Sequence, residues 1–222
     1  MIVGEQKPIK EIMKLVEPYD KVLVLGCGTC VKTCFAGGED ETAVLASALR
    51  LAFKKDKKDI AIQELTIERQ CEDEFIQEAA TAVGQNDCVL SLACGAGVQM
   101  IARRFGKAPV LPGVNTTFIG VLEQAGLFTE ECSGCGNCKL GMFGAVCPIT
   151  RCAKKLLNGP CGGSQNGKCE VNPETDCAWQ LIIDRLEALG QSHHLRTYVP
   201  PTDWRTSTSG GPRKLVREDH IV

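Results

Sequence analysis

Cysteine is the feature that most constrains what this chain can fold into. The sequence holds 14 cysteines in 222 residues, and eight of them lie between Cys132 and Cys177. One stretch, ECSGCGNCKLGMFGAVCPITRC at residues 131–152, places five cysteines among glycines. Thiols at this density either pair as disulfides or bind metal, so the cellular compartment decides which kind of fold is expected.

Several sequence features favour a reducing compartment. The amino terminus, MIVGEQKPIKEIMKLV, mixes charges with apolar residues and lacks the core of a signal peptide, and apolar runs such as VLVLG are too short to span a bilayer. The net charge is −2, and no run of Lys and Arg resembles a nucleic-acid footprint. We therefore expect a cytoplasmic protein with no membrane insertion and no nucleic-acid partner, whose cysteines are metal ligands or catalytic groups.

The first 128 residues alternate between short apolar runs and amphipathic segments. This alternation predicts an α/β fold, a small doubly wound domain with a mainly parallel sheet. The predicted strands are KVLVLG (21–26), DIAIQELTI (59–67), DCVLSLA (87–93) and APVLPGV (108–114). The predicted helix after the first strand, ETAVLASALRLAFKK, carries one apolar face made of Val44, Leu45, Ala48, Leu49 and Ala52.

Four cysteines are expected to meet at one edge of this sheet. Cys27, Cys30 and Cys34 follow the first predicted strand in GCGTCVKTC, and Cys94 follows the third in LACGAG. Ligands of open α/β sheets bind outside the carboxyl ends of the strands, and four thiolates are the usual ligand set of a 4Fe-4S cluster. The sequence therefore predicts an iron–sulfur site. The alternatives are a dinucleotide fingerprint, of which GCGTCV lacks the last glycine, and buried inert cysteines.

Two more cysteines of this region have no close cysteine neighbours in the sequence. Cys71 stands alone between two predicted elements, and Cys88 lies within a predicted strand. We expect both to be ordinary packing residues, because free cysteine often behaves as a small apolar side chain.

The region from 129 to 190 contains enough thiolates for two further four-cysteine centres. Its spacing opens as Cys-x2-Cys-x2-Cys and continues to a Cys-Pro pair, as in bacterial ferredoxins, but with a longer gap of eight residues. Structural zinc sites usually have two separated close pairs or histidine ligands, and the three histidines lie beyond this region. We expect about two to three 4Fe-4S clusters in the chain, with zinc as the alternative at one C-terminal site. The candidate metal ligands are Cys132, Cys135, Cys138, Cys147, Cys152, Cys161, Cys169 and Cys177.

The cysteine-rich domain is expected to have little regular structure apart from one C-terminal helix. Glycine-rich sequence such as LLNGPCGGSQNGKC suits irregular backbone around a metal centre, whose binding would supply folding free energy. Asn172 as N-cap, Pro173 at the first position and Gly190 at the end delimit the predicted helix. Its apolar stripe, expected to pack on this protein's own core, is Trp179, Ile182, Ile183, Leu186 and Leu189.

The residues after this helix predict an extended C-terminal tail. The segment 191–222 is polar, rich in proline and poor in aliphatic residues, with two isolated aromatics, Tyr198 and Trp204. It is either a disordered end or an arm whose aromatic residues dock on a partner. The predicted organisation is thus an α/β domain at 1–128, a cysteine-rich iron–sulfur domain at 129–190, and the tail at 191–222.

The motifs CSGCGNCKLGMFGAVCPITRCAKKLLNGPCGG, GKCEV and DCAWQLIIDRL resemble the cysteine-rich methylenetetrahydrofolate reductase C-terminal family. The resemblance is strong from Cys132 to Leu189 and extends to the α/β region through GCGTCVKTCFAGG and LACGAG. It implies the small iron–sulfur subunit of the reductase of acetogenic bacteria, a non-catalytic electron-transfer subunit of an oxidoreductase.

The same resemblance implies a set of partners. A flavin-containing barrel subunit with FMN would reduce 5,10-methylenetetrahydrofolate to 5-methyltetrahydrofolate, in the methyl branch of the reductive acetyl-CoA (Wood–Ljungdahl) pathway of acetogenesis. Further electron-donor subunits would complete the complex. The residues agree with chemistry on a partner, because neither a flavin-phosphate element nor an acid–base motif is recognisable and no catalytic residue is predicted.

Two other functions remain as alternatives from the sequence. One is a zinc-stabilised scaffold subunit that holds the flavoprotein in place. The other is an electron-transfer module of a corrinoid-dependent methyltransferase. Metal analysis separates the first from an iron–sulfur protein, and the identity of the co-purifying subunit separates the second.

Overall fold

The chain divides into two compact units, residues 1–129 and the chain from Glu130 onward. The computed structural model describes residues 1–220, so the last two residues of the predicted tail lie outside the described part. None of the helices within residues 1–220 is long and apolar enough to cross a bilayer. The strands are β1 (Ile2–Gln6), β2 (Lys21–Cys27), β3 (Ala61–Ile67), β4 (Cys88–Ser91), β5 (Val110–Pro112), β6 (Val114–Gln124) and β7 (Leu127–Cys132). The α-helices are α1 (Ile9–Val16), α2 (Cys30–Thr33), α3 (Glu39–Lys55), α4 (Asp73–Ile76), α5 (Ala80–Gln85), α6 (Gly95–Arg104), α7 (Pro148–Arg151) and α8 (Ala178–Ala188).

The first unit is built on a four-stranded parallel sheet in the order β3-β2-β4-β5. Strand β2 is buried on both faces, and its alternating side chains enter two different cores: Val22 and Val24 face one, Leu23 and Leu25 the other. Helices α1 and α3 contribute to the first core, and α4, α5 and α6 to the second. The predicted doubly wound parallel sheet is therefore present.

Helix α3 buries a face rotated from the predicted one. Leu45 and Leu49 are buried as expected, but Val44 is 70% exposed. Phe53, which was not assigned to the face, is buried in the same core. The buried positions 42, 45, 46, 49 and 53 recur at intervals of three and four, so Val44 falls outside this stripe by one residue.

A second, antiparallel sheet in the order β1-β6-β7 corrects the expectation of a mainly parallel fold. Strand β1 pairs with β6 in a register that joins Ile2 to Ile119 and Gln6 to Val114. Along β6 only Val114 and Gly120 are buried, so its sequence lacks the alternation that reveals a half-buried strand. The division between the two units falls within strand β7.

The second unit has little regular structure, as predicted, and a small core around helix α8. Trp179, Ile182 and Leu186 of this helix are buried together with Phe143, whose ring meets Trp179 edge-on at 5.9 Å between centroids. The Trp179 indole N–H donates to the carbonyl of Leu156 at 3.0 Å. The predicted packing of the apolar stripe on the protein's own core is confirmed for these three helix residues, while Ile183 is only partly buried and Leu189 is 45% exposed.

Helix α8 begins later than predicted. Its N-cap is Cys177, and Asn172 instead closes a turn in which its side-chain oxygen accepts a hydrogen bond from the Glu174 N–H at 3.1 Å. Asn and Asp side chains make such local bonds in turns as readily as at helix starts, so sequence alone does not separate the two. Gly190 ends the helix as predicted, with a positive φ of 66°.

The tail packs against the second unit. Val199 is buried in the core of that unit, and its backbone N–H and C=O each make a 2.8 Å hydrogen bond to the side-chain amide of Asn158. Short 3-10 turns follow at Trp204–Thr206 and Thr208–Gly210. Of the two alternatives for the tail, a disordered end does not describe these residues.

Candidate metal centres

Three neighbouring strands of the parallel sheet end beside cysteines. Cys27 is the last residue of β2, Cys30 begins α2 after a short loop, and Cys94 caps α6 after β4. Cys71 lies in the loop that follows β3. Because β2 stands between β3 and β4, and all carboxyl ends of a parallel sheet share one edge, these four thiols lie at the same edge.

A buried glutamine holds this edge together. The side chain of Gln70 is fully buried, and its Nε2 donates to the carbonyls of Leu25 at 2.8 Å and Gly26 at 3.0 Å. Its Oε1 accepts a hydrogen bond of 2.6 Å from the Ser91 hydroxyl. Gln70 thus joins the loop after β3 to the ends of both β2 and β4, and it fixes the position of Cys71, the next residue.

The sulfur of Cys71 lies within electrostatic reach of three other cysteines. Burial raises the pKa of the Cys71 thiol, and the charges of Cys27, Cys94 and Cys30 raise it further. Cys27 approaches the same loop directly, since its sulfur is 3.8 Å from the carbonyl oxygen of Glu68.

The sulfur of Cys34 contacts a different part of the unit. It accepts a hydrogen bond from the Gly4 N–H and donates one to the Gly4 carbonyl, both at 3.4 Å, so it is paired with strand β1. Cys34 is buried within the first core, and burial raises the pKa of its thiol. Of the four predicted ligands, Cys27, Cys30 and Cys94 lie at the same edge of the sheet, and ligation by any of the four stays a prediction.

Cys88 is the packing residue that its sequence context indicates. It is fully buried in the first core, in strand β4. Burial, with a smaller contribution from the charge of Asp87, raises the pKa of its thiol to about 12. Such a thiol stays neutral at physiological pH, which suits a core side chain and not a ligand.

The eight cysteines of the second unit separate into two groups of four. The first group, Cys132, Cys135, Cys138 and Cys147, lines a cavity of about 310 Å³. The loop around it turns at Gly134 and Gly136, whose φ values are 61° and 82°. The Gly134 N–H donates to the Cys132 sulfur at 3.4 Å.

The tail covers part of this loop. The Thr206 hydroxyl donates to the carbonyl of Cys135 at 2.7 Å, and the Arg213 guanidinium reaches the carbonyls of Gly134 at 3.3 Å and Thr206 at 2.7 Å. A side chain at Gly136 would collide with the Thr206 carbonyl. The tail therefore helps to fix the backbone that carries the first three cysteines of the group.

The second group lines a much smaller cavity, of about 20 Å³, and consists of Cys152, Cys161, Cys169 and Cys177. The Gly163 N–H donates to the Cys161 sulfur at 3.4 Å, which repeats the contact between Gly134 and Cys132.

Cys169 of this second group has surroundings that favour a thiolate. Backbone N–H groups of Asn172 and then Val171 lower the pKa of the Cys169 thiol, and the charge of Lys154 adds to the effect. Cys177 is the N-cap of the 11-residue helix α8.

The donor sets fit iron–sulfur clusters in number and chemistry. Within residues 1–220 no three cysteine, histidine or acidic side chains converge closely enough to hold a single metal ion. A four-iron cluster is a body of several atoms held at its corners, so its four ligands stand further apart than those of one ion. One buried side-chain atom in the described part of the chain, the hydroxyl of Thr150, has no hydrogen-bond partner, and it lies on the short helix between Cys147 and Cys152.

The sequence did not indicate that Cys71 and Gln70 lie at this edge. The sheet-edge rule assigned Cys94 to the site, whereas Cys71, which has no close cysteine neighbour, was predicted to be a packing residue. The position of Cys71 four residues after the end of β3 was the available signal, because Cys27 and Cys94 also stand at or just after strand ends.

The fold and the thiol groups define a cysteine-rich protein with a doubly wound α/β unit and a second unit built around eight thiols. Residues 111–205 match the family described as Methylene-tetrahydrofolate reductase C terminal. The match confirms the resemblance for the cysteine-rich motif and reaches into the tail, whereas GCGTCVKTCFAGG and LACGAG lie outside it. No curated protein and no solved structure matches the chain. The match thus links this part of the chain to a reductase of one-carbon metabolism.

Proposed function

We propose that this protein is a cytoplasmic iron–sulfur electron-transfer subunit of a methylenetetrahydrofolate reductase complex. The observation that carries this is the separation of eight cysteines into two four-thiol groups, within a region that matches the reductase family. A third group of thiols at the sheet edge adds to it. Four thiolates per group are what 4Fe-4S clusters require.

Bound clusters would supply one-electron transfer, and the residues of this chain would hold them and adjust their potential. Cysteine thiolates provide the bonds to iron. The backbone N–H groups of Gly134 and Gly163 point to sulfurs of the two C-terminal groups, and such hydrogen bonds raise the potential of a cluster by stabilising its more negative, reduced form. The hydride chemistry on the folate would belong to an FMN-containing partner, since no acid–base motif is assigned here.

The tail offers a contact for that flavoprotein. Tyr198 is 71% exposed, while its neighbour Val199 is anchored in the core of the second unit. An exposed aromatic side chain on a fixed backbone loses little conformational entropy on binding, which suits an interface anchor. Other electron-donor subunits of the complex would use different surfaces, and the reaction would serve the methyl branch of the reductive acetyl-CoA pathway.

A second candidate function, a structural zinc site, is favoured by an observation at the group of Cys152, Cys161, Cys169 and Cys177. Its cavity of about 20 Å³ is far smaller than the 310 Å³ beside the first group. A single tetrahedral ion needs less room than a cluster, so the four sulfurs could close on zinc with small movements. The protein would then carry clusters at the other two places and a structural zinc here.

Metal analysis of the full chain, purified without oxygen, tests the iron–sulfur assignment. We expect about eight to twelve iron ions per chain with an equal amount of sulfide, from two to three four-iron clusters. A value near eight together with one zinc would assign the small cavity to zinc. Protein that carries zinc and almost no sulfide would instead be a zinc-stabilised scaffold, and the electron-transfer function would be wrong.

Reconstitution tests the role in the complex. The complete complex, given a low-potential electron donor, should reduce methylenetetrahydrofolate much faster than the flavoprotein alone with the same donor. If the flavoprotein alone equals the complex with every donor tried, the electron-transfer role is excluded. If the chain co-purifies with a corrinoid-dependent methyltransferase and not with a flavoprotein, the reductase assignment is wrong.

A further inference from the structure

We propose that Cys71 is a metal ligand and that Cys27, Cys30, Cys71 and Cys94 form one four-thiolate site, with Cys34 as a structural thiol outside it. This rests on the iron–sulfur part of the proposed function and changes the expected ligand set at the sheet edge. The loops that follow strands β2, β3 and β4 would then each contribute at least one sulfur.

Backbone contacts hold the two loops that carry Cys27, Cys30 and Cys71. The Gly28 N–H, one residue after Cys27, donates to the carbonyls of Ile67 at 2.9 Å and Glu68 at 3.0 Å. The loop after β2 is therefore bonded along its first residues to the loop after β3. Cys71 cannot move away from Cys27 without breaking these bonds or the buried bonds of Gln70.

Helix α6, whose N-cap is Cys94, packs closely against the same glutamine. A side chain at Gly97, in the first turn of α6, would stand 2.9 Å from the Cβ of Gln70 and 2.6 Å from that of Ala93. Only glycine permits this approach, which brings the start of the helix and its N-cap, Cys94, against the residue that precedes Cys71. One buried side chain thus positions the loops of both β3 and β4.

The four thiols differ in exposure, as expected for a metal centre at the surface of the first unit. Cys27 is buried, Cys30 and Cys94 are partly buried, and Cys71 is exposed. A cluster held by these sulfurs would have one protected side and one side close to solvent, as electron exchange with another protein requires. Cys34 is buried, as Cys27 is, and burial, with a smaller contribution from the charge of Cys30, raises the pKa of its thiol, but its sulfur is already hydrogen-bonded to both backbone groups of Gly4.

The test compares Cys71→Ala with Cys34→Ala in the full-length protein, purified without oxygen. We expect Cys71→Ala to lose about four iron ions and four sulfides per chain relative to the unsubstituted protein, as Cys94→Ala should, while Cys34→Ala keeps its iron. The reverse result, with iron lost only from Cys34→Ala, would overturn the proposal. If the unsubstituted protein carries no cluster at all, the proposed function fails first, so the two failures are distinguishable.

Alkylation of the unsubstituted protein gives a second measurement that does not depend on how the variants fold. Cys71 is exposed in the chain but the pKa of its thiol is raised, so a free thiol there should be modified by iodoacetamide at alkaline pH. We expect mass spectrometry to find Cys71 protected in the iron-loaded protein and modified after the iron is removed. Rapid modification of Cys71 while the protein retains its full iron content would exclude it as a ligand.

Discussion

The two units hold their cysteines by opposite means. In the first unit, thiols stand at the ends of strands in a sheet that buries 18 residues in one core and nine in the other. In the second unit, eight thiols lie mostly in loops, and the core of the described residues has only six buried side chains, one of which is Cys177. The hydrophobic effect can account for the first fold, because apolar burial is the dominant favourable term in folding and is extensive there. The second unit needs another source of stability.

Metal would supply that stability. Bonds between thiolates and metal form in the folded chain, so their binding free energy would become folding free energy, as in small metal-stabilised domains. The proposed contrast is between a unit whose fold would position a metal site and a unit whose metal sites would stabilise its fold. The predictions below test this contrast, from the largest expected effect to the smallest.

Removal of metal should affect the two units very differently. After exposure to a strong chelator under anaerobic conditions, we expect the second unit to lose most of its protection from protease while the first keeps its own. The expected scale is large, since metal binding contributes on the order of 10 kcal/mol in small zinc domains. Limited proteolysis with mass spectrometry reads both units in one sample. Equal protection of both units after complete metal removal would refute the contrast.

A core substitution in the second unit should have the next largest effect. Trp179 fills the centre of the small core, and its replacement in Trp179→Ala removes the edge-on contact with Phe143 and a buried hydrogen bond to Leu156. We expect a loss of about 3–5 kcal/mol in the free energy of unfolding of this unit. The matched control is Leu189→Ala on the same helix, where the side chain is 45% exposed and the expected change is within about 0.5 kcal/mol.

Urea unfolding of the metal-loaded protein, followed by a short protease pulse, measures both variants. A Trp179→Ala midpoint that matches the Leu189→Ala midpoint would mean that the small core contributes little and that metal alone stabilises the second unit. That result would make the difference between the two units larger, because hydrophobic burial would then contribute little to the stability of the second unit.

The same contrast explains which features could be predicted from the sequence. The parallel strands were predictable because continuous apolar runs such as KVLVLG are buried on both faces. The antiparallel sheet was not, because β1 has five residues and β6 is mostly exposed, so neither carries a strong pattern. Helix α8 was predictable as a helix from its apolar stripe, but its start was displaced because Asn172 serves a turn.

The candidate sites, too, could be predicted only where the sequence carries a local pattern. Spacing identified the eight cysteines of the second unit, but their division into two groups depends on how irregular loops fold back, which no periodicity encodes. At the sheet edge, adjacency in sequence favoured Cys34, whose sulfur is bonded to Gly4, while Cys71 reaches the same edge from the loop after β3. The contribution of Gln70 was invisible because a single polar residue in a loop carries no signal of burial.

The smallest expected effect concerns how the free energy of unfolding of the first unit depends on pH. It compares the core thiol of Cys88 with the candidate ligand thiol of Cys169. Burial raises the pKa of Cys88 to about 12, whereas backbone N–H groups lower the pKa of Cys169 in the second unit. A thiol whose pKa is raised by folding stabilises the native state fully below its unfolded pKa of about 8.5, and loses that contribution as the pH rises toward the folded value. The free energy of unfolding of the first unit should therefore fall above pH 8.5, with a contribution from Cys88 approaching about 1.4 kcal/mol per pH unit.

In Cys88→Ala the unit should be less stable at neutral pH, because a small cavity replaces the sulfur, but its stability should fall less steeply between pH 8.5 and 10. Urea midpoints of the first unit across this range, read by pulse proteolysis, give the two slopes. Parallel slopes for the variant and the unsubstituted protein would show that Cys88 does not remain a neutral core thiol, and the distinction between packing and ligand cysteines would then lose its electrostatic basis.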